Sequence, residues 1–421
     1  MKSFLKLCSA ISIPILIVAC GSNPNQLDLM PSPAHFNQSK KLDLAQKKYM
    51  KLAPYKGILY ATDRQLQYSE DGDTQFTSSR SSVIRVGVAH VDYGEQQLGD
   101  ELIRLLPVAG QKIKPYVGRV TGVTNLGYLA NHLPYGDLTS SEELVGMKKA
   151  GKSYADLVNR KLASSDQKEI TIYVHGYKNA FNKPILVAAE LWSYMGYDGV
   201  CVSYSWPATP KFFSYLHDVE TSRVSGANLR RFIQYLGHNT KAEKINIIAH
   251  SAGARVTITA LRELALANPS AAQKKKLRIG QVALIASDYD PEQFAMAIND
   301  GLIDTADAYN LYLSKSDLAL KLSKKVFSFS RLGQLGDPAN LSPHVKEWFI
   351  NNNKLNFIDV SGAPRSRSGN GHSYHRASSW VSNDLITIIK RGQSPQKRGL
   401  VRAAGKLVWS FPADYLIRSK R

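Results

Sequence analysis

The sequence predicts an α/β fold in which a mostly parallel central sheet is covered by helices on both faces. From residue 169 onward, short apolar runs rich in β-branched residues alternate with amphipathic helical patterns. That order is typical of a parallel sheet. An apolar content of 43% and a charged content of 21% fit a globular chain with a large core. They exclude a mainly disordered chain, a collagen-like repeat and a polytopic membrane protein.

The first element in chain order is a secretory signal peptide, predicted over residues 1–19. Two lysines precede an apolar run that is too short for a comfortable membrane span. The four residues Ile17–Cys20 resemble the lipobox of bacterial lipoproteins, in which the cysteine is lipidated and becomes the N-terminus. Gly21 and Ser22 follow with no aspartate, which by resemblance to Gram-negative lipoproteins favours the outer membrane, facing the periplasm. We therefore expect a cell-envelope lipoprotein anchored through Cys20; an ordinary signal peptide is the alternative.

The next two segments are a tether and an N-terminal extension. Residues 20–47 are predicted to be a flexible tether, since they are polar and contain three prolines. Residues 48–168 are predicted to form an irregular, β-containing extension packed on the core. Within it, residues 57–62 and 82–88 are typical of strands, and residues 141–163 have a helical pattern.

The core domain is predicted over residues 169–390. Strand-like runs span residues 170–175, 199–205, 244–249, 279–286, 308–314 and 354–360. Amphipathic helical patterns span residues 179–196, 217–237, 252–267 and 291–300. Right-handed crossovers place the carboxyl ends of the strands along one edge of the sheet, where such folds keep their sites.

The last segment, residues 391–421, is a basic C-terminal tail with eight Lys or Arg and one acid, in a chain of net charge +20. Apolar and aromatic residues are interleaved with the charges. An exported chain rarely meets nucleic acid, so we expect no nucleic-acid partner. An anionic membrane surface or envelope polymer is a better partner for a basic segment. A solvated tail and a segment docked on the core remain the alternatives.

A candidate nucleophile lies where one predicted strand meets a predicted helix. Ser251 is flanked by Ala249 and Gly253 in an A-x-S-x-G pattern, and small residues are needed there because strand and helix pass close together. Such an elbow exposes the serine hydroxyl and sets the backbone N–H of Ala252 at a helix N-terminus, ready to donate to an oxyanion. The alternative is an ordinary helix-capping serine.

A second donor to that oxyanion is expected after an earlier strand, in His175-Gly176-Tyr177. Gly176 lets the backbone turn so that the N–H of Tyr177 points at the substrate oxygen. His175 is then structural and is not expected to act as the base.

These motifs make the chain similar to the α/β-hydrolase superfamily, and more narrowly to a bacterial α/β-hydrolase family catalogued as a domain of unknown function. The resemblance covers roughly residues 55–390 and departs at Ala252, where the family often has Met. It implies a hydrolase fold far more firmly than any substrate. The shared stretches are Tyr60-Ala61-Thr62-Asp63-Arg64, Ser79-Arg80, His175-Gly176-Tyr177, Ser205-Trp206-Pro207, Asp218 with Ser222, Ala249-His250-Ser251-Ala252-Gly253 and Gly371-His372-Ser373-Tyr374.

The acid and the base should follow the serine in the order Ser, acid, His. His372 matches the family's G-H-S-Y motif and is the preferred base, with His375 as the alternative. Asp317 follows the penultimate predicted strand and is the preferred acid. Asp288 and Asp290 follow the strand before and are the alternatives, although Asp290 could simply cap the next helix.

The combined expectation is a lipid-anchored serine hydrolase that cleaves an ester or related acyl bond of a small molecule or lipid. The rival is a non-catalytic envelope binding or scaffold lipoprotein on the same fold. Lipase, esterase, thioesterase and amidase activities stay open. Serine catalysis needs no metal or cofactor, so none is expected. Three cysteines exclude a disulfide scaffold, and Cys201 lies in an apolar run typical of an inert buried thiol.

Overall fold

The computed structural model describes residues 26–34, 57–92, 117–131, 140–211, 214–334 and 343–419. The predicted signal peptide, Cys20 and most of the predicted tether lie outside these ranges. The strands are Gln26–Asp28 (β1), Ile58–Tyr68 (β2), Thr74–Asp92 (β3), Val117–Asn131 (β4), Glu169–Val174 (β5), Val200–Ser205 (β6), Lys244–His250 (β7), Ile279–Ile285 (β8), Ala306–Leu313 (β9), Leu355–Asp359 (β10) and Val408–Ser410 (β11).

The helices cover the two faces of the sheet. They are Ser141–Ser164 (α1), Asn182–Tyr194 (α2), Tyr215–Asn239 (α3), Gly253–Ala267 (α4), Ala271–Lys276 (α5), Pro291–Asn299 (α6), Leu318–Phe327 (α7), Pro343–Asn351 (α8), Tyr374–Ala377 (α9), Ser379–Arg391 (α10) and Tyr415–Arg418 (α11). Across the described ranges, no helix has the length and hydrophobicity that a membrane span requires.

All described strands belong to one mixed sheet, in the order β1-β4-β3-β2-β6-β5-β7-β8-β9-β10-β11. In this order, the pairs β1–β4, β4–β3 and β3–β2 are antiparallel. All neighbouring pairs from β2–β6 through β10–β11 are parallel. The predicted α/β-hydrolase fold is therefore confirmed. Each strand predicted between residues 170 and 360 begins and ends within two residues of its prediction.

The helices bury the sheet from both sides, which explains why the central strands read as continuous apolar runs. Successive residues of β5 alternate between two hydrophobic cores: Ile172 lies in one and Tyr173 in the other. The first core receives side chains from α1, α3 and α4, and the second receives them from α2 and α10. Because these strands are parallel, their carboxyl ends all lie at one edge of the sheet, where the loops that follow them meet.

The extension before β5 is more regular than the sequence indicates. Strands β2 and β3 form a long antiparallel pair, and β4, which was not predicted, adds a third strand to it. β2 also pairs in parallel with β6, with Thr62 opposite Ser205. The extension thus continues the sheet of the core and does not form a separate body.

The predicted tether is corrected over residues 26–34. Residues Gln26–Asp28 pair with β4, and the N–H of Ala34 donates to the carbonyl of Ser379 at 3.0 Å. Leu27 and Met30 are 6% and 2% exposed and join the second core. Because the segment is polar on average, its composition did not indicate that these two apolar residues are buried. Their burial holds the segment on the fold.

The basic C-terminal segment is also packed on the core, as one of the alternatives anticipated. β11 pairs in parallel with β10, and Leu400, Phe411 and Tyr415 are buried. Arg398, one of its cations, is itself buried and pairs with Asp384 at 2.7 Å from Nε to Oδ1. Part of the positive charge read from the sequence is therefore internal and neutralised.

Candidate active site

Ser251 occupies the sharp turn between β7 and α4. Its backbone φ is 53°, in the left-handed region that costs a non-glycine residue on the order of 1 kcal/mol. The surrounding backbone holds this strained turn. The N–H of Ser251 donates to the carbonyl of Ile285 at 2.8 Å, and its carbonyl accepts from the N–H of Ala254 at 3.0 Å. The side chain lines a cavity at the carboxyl edge of the sheet.

The small residues around Ser251 are required by close contacts. A Cβ on Gly253 would lie 2.4 Å from the carbonyl oxygen of Val174 in β5, so α4 could not approach the sheet as it does. A Cβ on Gly176 would lie 2.8 Å from the Cβ of Ser251. The loop after β5 therefore runs directly against the serine side chain, which matches the position expected for an oxyanion loop.

Ser251, His372 and Asp317 form one chain of hydrogen bonds. The Nε2 of His372 lies 2.8 Å from the Oγ of Ser251, and its Nδ1 lies 2.7 Å from the Oδ2 of Asp317. Asp317 is fully buried, and an ionised carboxylate only accepts, so the Nδ1 of His372 carries the hydrogen. Nε2 is then left free to accept a proton from the serine hydroxyl.

Two loops are tied together to set this geometry. Asp317 lies in the loop after β9 and also caps α7 by accepting from the N–H of Leu320 at 3.0 Å. His372 lies in the loop after β10, where its N–H donates to the Oδ1 of Asn370 at 3.1 Å. The carbonyl of Asn370 accepts from the N–H of Leu318 at 3.0 Å, which joins the two loops.

The alternative acids make other contacts. Asp288 accepts hydrogen bonds from the hydroxyls of Tyr215 and Ser323 and from the Nε of Arg255, at 3.2 Å for the last. Asp290 caps α6, with its Oδ1 2.9 Å and 3.0 Å from two backbone N–H groups. Neither carboxylate contacts a histidine among the described residues, so the geometry favours Asp317.

The alternative base, His375, is buried away from the serine hydroxyl. Its side chain is 1% exposed, and its ring centre lies 4.6 Å from that of His250, with the two ring planes tilted by 45°. Burial, followed by the neighbouring His250 and Arg376, holds the pKa of His375 well below its usual value. The geometry therefore favours His372 over His375.

The histidine before the serine was not singled out from the sequence, although its place in the elbow was a signal. The Nε2 of His250 lies 3.1 Å from the backbone oxygen of His372 and supports its loop. Burial, and then His372, lower the pKa of His250 to about 3, so it donates as a neutral ring.

The residues expected to bind the oxyanion flank Ser251. Ala252 is the N-cap of α4, directly after the serine, and Tyr177 directly follows Gly176. The phenol of Tyr177 donates to the carbonyl of Lys211 at 2.7 Å. His175 is structural, as expected: its ring stacks 5.4 Å from Trp206 and its Nε2 lies 3.1 Å from the carbonyl of that residue.

Arg64 is a positioning residue whose role the sequence did not reveal, although an arginine inside an apolar strand is a signal. Its guanidinium is fully buried and joins the end of β6 to two loops. It donates to Ser205 Oγ at 3.1 Å, to the Ala208 carbonyl at 3.3 Å and to the Asn179 carbonyl at 2.8 Å. Burial lowers the pKa of Arg64 to about 9. Arg64 therefore fixes the loop that carries Tyr177.

The cavity beside Ser251 has a volume of about 600 Å³ and two chemically different sides. One side is apolar and is built from α7 and the start of α3. The other side carries the basic and imidazole groups of α2 and α9. Cys201 lies outside this cavity, buried, and burial raises the pKa of its thiol. The apolar side is lined by Leu216, Ala319, Leu320, Leu322 and Val326.

Comparison with protein families gives a match over the core domain. A family model described as "Alpha/beta hydrolase of unknown function (DUF900)" matches residues 150–390, which is more than half of the chain. No curated protein matches the chain.

Proposed function

We propose, from the premise that the chain belongs to the DUF900 family of α/β-hydrolases, that it is a membrane-anchored serine hydrolase of an ester or related acyl bond. One observation carries the proposal. The hydroxyl of Ser251, the imidazole of His372 and the carboxylate of Asp317 are joined by hydrogen bonds of 2.8 Å and 2.7 Å at the wall of a cavity. A scaffold needs no such arrangement, so the geometry supports the enzyme over the rival scaffold.

In the proposed reaction, the Oγ of Ser251 attacks the acyl carbon while the Nε2 of His372 takes the hydroxyl proton. The backbone N–H groups of Tyr177 and Ala252 hold the oxyanion of the tetrahedral intermediate. The imidazolium gives its proton to the leaving alcohol, and the acyl group stays on Ser251. Water then attacks the acyl carbon while His372 takes its proton, and His372 returns that proton to the Oγ of Ser251 as the acid is released. Asp317 orients the imidazole and stabilises its charged form.

The apolar side of the cavity supports an acyl group as the part of the substrate bound there. Leu322 and Val326 lie four residues apart on α7 and line the cavity, and Leu216 faces the same space from α3. These side chains are 43%, 53% and 62% exposed, so they form a surface that an acyl chain would cover.

We also propose that lipidation of Cys20 anchors the protein to the cell envelope, most consistently with the outer membrane facing the periplasm. Gln26, the first residue of β1, lies six positions after Cys20 in the chain. A chain of that length spans at most about 20 Å. The anchored protein would therefore hold the β1 edge of its sheet close to the lipid surface.

The proposed activity is tested by labelling the purified protein with a fluorophosphonate probe and by assaying hydrolysis of p-nitrophenyl butyrate. Wild type should do both, and Ser251→Ala should do neither while melting close to wild type. His372→Ala should label at least about a thousandfold more slowly, and His375→Ala should lose much less. Wild-type protein that neither labels nor cleaves short- or long-chain esters would overturn the hydrolase proposal in favour of a scaffold.

A further inference from the structure

The lining of the cavity also includes Lys178, Lys183, His250, His375 and Arg376, here called the basic pocket. The reaction described above uses none of these side chains. Three of the five are cations, and they come from the loop after β5, from the first turn of α2 and from α9. The basic pocket therefore needs its own explanation.

The acids around the basic pocket neutralise only part of its charge. Arg376 binds the buried Glu190, with 3.0 Å between Nη2 and Oε2. Lys183 has no carboxylate partner in the part of the chain that the structure describes. Burial lowers the pKa of Lys183, and its charged neighbours Arg376 and Lys178 lower it further. Such a half-buried, unpaired ammonium group is stabilised by an incoming anion.

The acid that lines the cavity does not serve the basic pocket. Tyr215, Ser323 and Arg255 already occupy the carboxylate oxygens of Asp288. Its nearest cations are Arg255 in α4 and Arg331. The two sides of the cavity therefore differ in charge as well as in hydrophobicity.

His375 gives the second, independent observation. Its ring is 1% exposed and lines the basic pocket, yet neither of its nitrogens has a hydrogen-bond partner within the described residues. Buried polar groups almost always have a partner, so an unpartnered ring facing a cavity points to a ligand that supplies one. A neutral imidazole donates one hydrogen bond, which an anionic oxygen accepts.

The basic pocket lies close to the reacting groups. The ring centre of His250 is 4.9 Å from that of His372 and 4.6 Å from that of His375. An ester held at Ser251, with its acyl part against Leu322, would direct its alcohol part towards these rings. A charged group a few bonds from the ester would then reach Lys183.

We propose that the basic pocket binds a phosphate or carboxylate group on the alcohol part of the substrate, with Lys183 and His375 as its direct ligands. The substrate is then an acyl ester of an anionic alcohol, a class that includes acidic lipids. This inference rests on the proposed hydrolase function, whose substrate class it specifies.

The test compares substrates that share one acyl chain and differ only in the charged group. They are a monoacylglycerol, the corresponding 1-acyl-glycerol 3-phosphate and the corresponding acyl glycerate. We expect the wild-type kcat/KM for one of the two anionic esters to be at least about tenfold above that for the neutral ester. A charge-assisted hydrogen bond to the anion stabilises the bound ester by an amount that corresponds to this ratio. The preferred anion distinguishes phosphate from carboxylate.

Two variants tie this preference to the basic pocket. Lys183→Met and His375→Phe should each lower the ratio of anionic to neutral kcat/KM by about tenfold. Lys275→Met removes an exposed lysine of α5 and should keep the wild-type ratio. A wild-type ratio of one or less, or a ratio that Lys183→Met does not change, would overturn the inference.

A binding measurement separates this inference from the proposed activity. Glycerol 3-phosphate and glycerate are titrated into Ser251→Ala protein by calorimetry, and into the same protein carrying Lys183→Met. One of them should bind at least about tenfold more weakly after the second substitution. Binding without hydrolysis in wild type would sustain the anion site and defeat the hydrolase. Hydrolysis of neutral esters with no binding of either anion would sustain the hydrolase and defeat the anion site.

Discussion

Replacing Asp317 by Asn tests the hydrogen-bonded chain at its most buried member. The carboxylate is fully buried and accepts from the Nδ1 of His372 at 2.7 Å and from the N–H of Leu320 at 3.0 Å. Asparagine has the same shape but only one accepting oxygen. If that oxygen stays on the helix cap, the amide NH₂ group faces Nδ1. His372 then takes the tautomer with hydrogen on Nε2 and cannot accept the proton of Ser251.

The expected loss follows from the wrong tautomer, since the geometry of the site is otherwise kept. A histidine held in that form loses roughly 10³ to 10⁴ in acylation rate. At about 1.4 kcal/mol for each factor of ten, the transition state is destabilised by about 4 to 5.5 kcal/mol. The free energy of unfolding should fall far less, because the capping hydrogen bond to Leu320 survives.

The assay is the second-order rate constant for fluorophosphonate labelling, with kcat/KM for p-nitrophenyl butyrate as a second measure. Asp288→Asn is the matched control, because Asp288 is the rival acid and is also buried. Asp288 pairs with Arg255 at 3.2 Å and lies 3.6 Å from Arg331, so its loss should destabilise the fold by about 3 to 5 kcal/mol. Labelling of the folded Asp288→Asn protein should slow much less than that of Asp317→Asn. The opposite ranking in two folded variants would refute the reasoning.

Two further predictions concern stability and anchoring. Burial holds the pKa of His375 well below its usual value of about 6.5, so the unfolded chain binds a proton there that the folded protein does not. The contribution of a neutral His375 to stability is therefore fully present above about pH 6.5 and is lost as the pH falls. In urea titrations, His375→Phe should reduce the slope of the free energy of unfolding against pH by up to about 1.4 kcal/mol per pH unit. An unchanged slope would contradict this prediction. Cys20→Ser should abolish palmitate incorporation and membrane retention in fractionated cells, and a variant that keeps both would defeat the lipoprotein proposal.

The sequence by itself determined the elements of the core and the order of the candidate site residues along the chain. Strands β5 to β10 follow from apolar runs of five to eight residues, because hydrophobic periodicity is a local property. The elbow at Ser251 also follows locally, since a strand, a serine between small residues and a helix lie in consecutive positions. Local signals were weaker in β4, where glycines and polar residues interrupt the apolar pattern.

Only the tertiary structure decided which acid and which histidine meet the serine. Asp288 and Asp317 follow neighbouring strands and reach the same edge of the sheet, and the composition around them does not tell them apart. The choice depends on where each side chain points. Arg255 and Tyr215 engage Asp288, whereas the loop of Asp317 is tied to that of His372.

The packing of the two ends of the described chain and the basic pocket likewise required the folded structure. Leu27 and Met30 are buried by residues more than a hundred positions away, and averaging polarity over a segment cannot register such contacts. Lys183 and His375 lie on different helices, so only folding brings them to one cavity wall. The physical reason is the same in each case. Secondary structure is set by neighbours along the chain, whereas charge balance and hydrogen-bond partnership are set by neighbours in space.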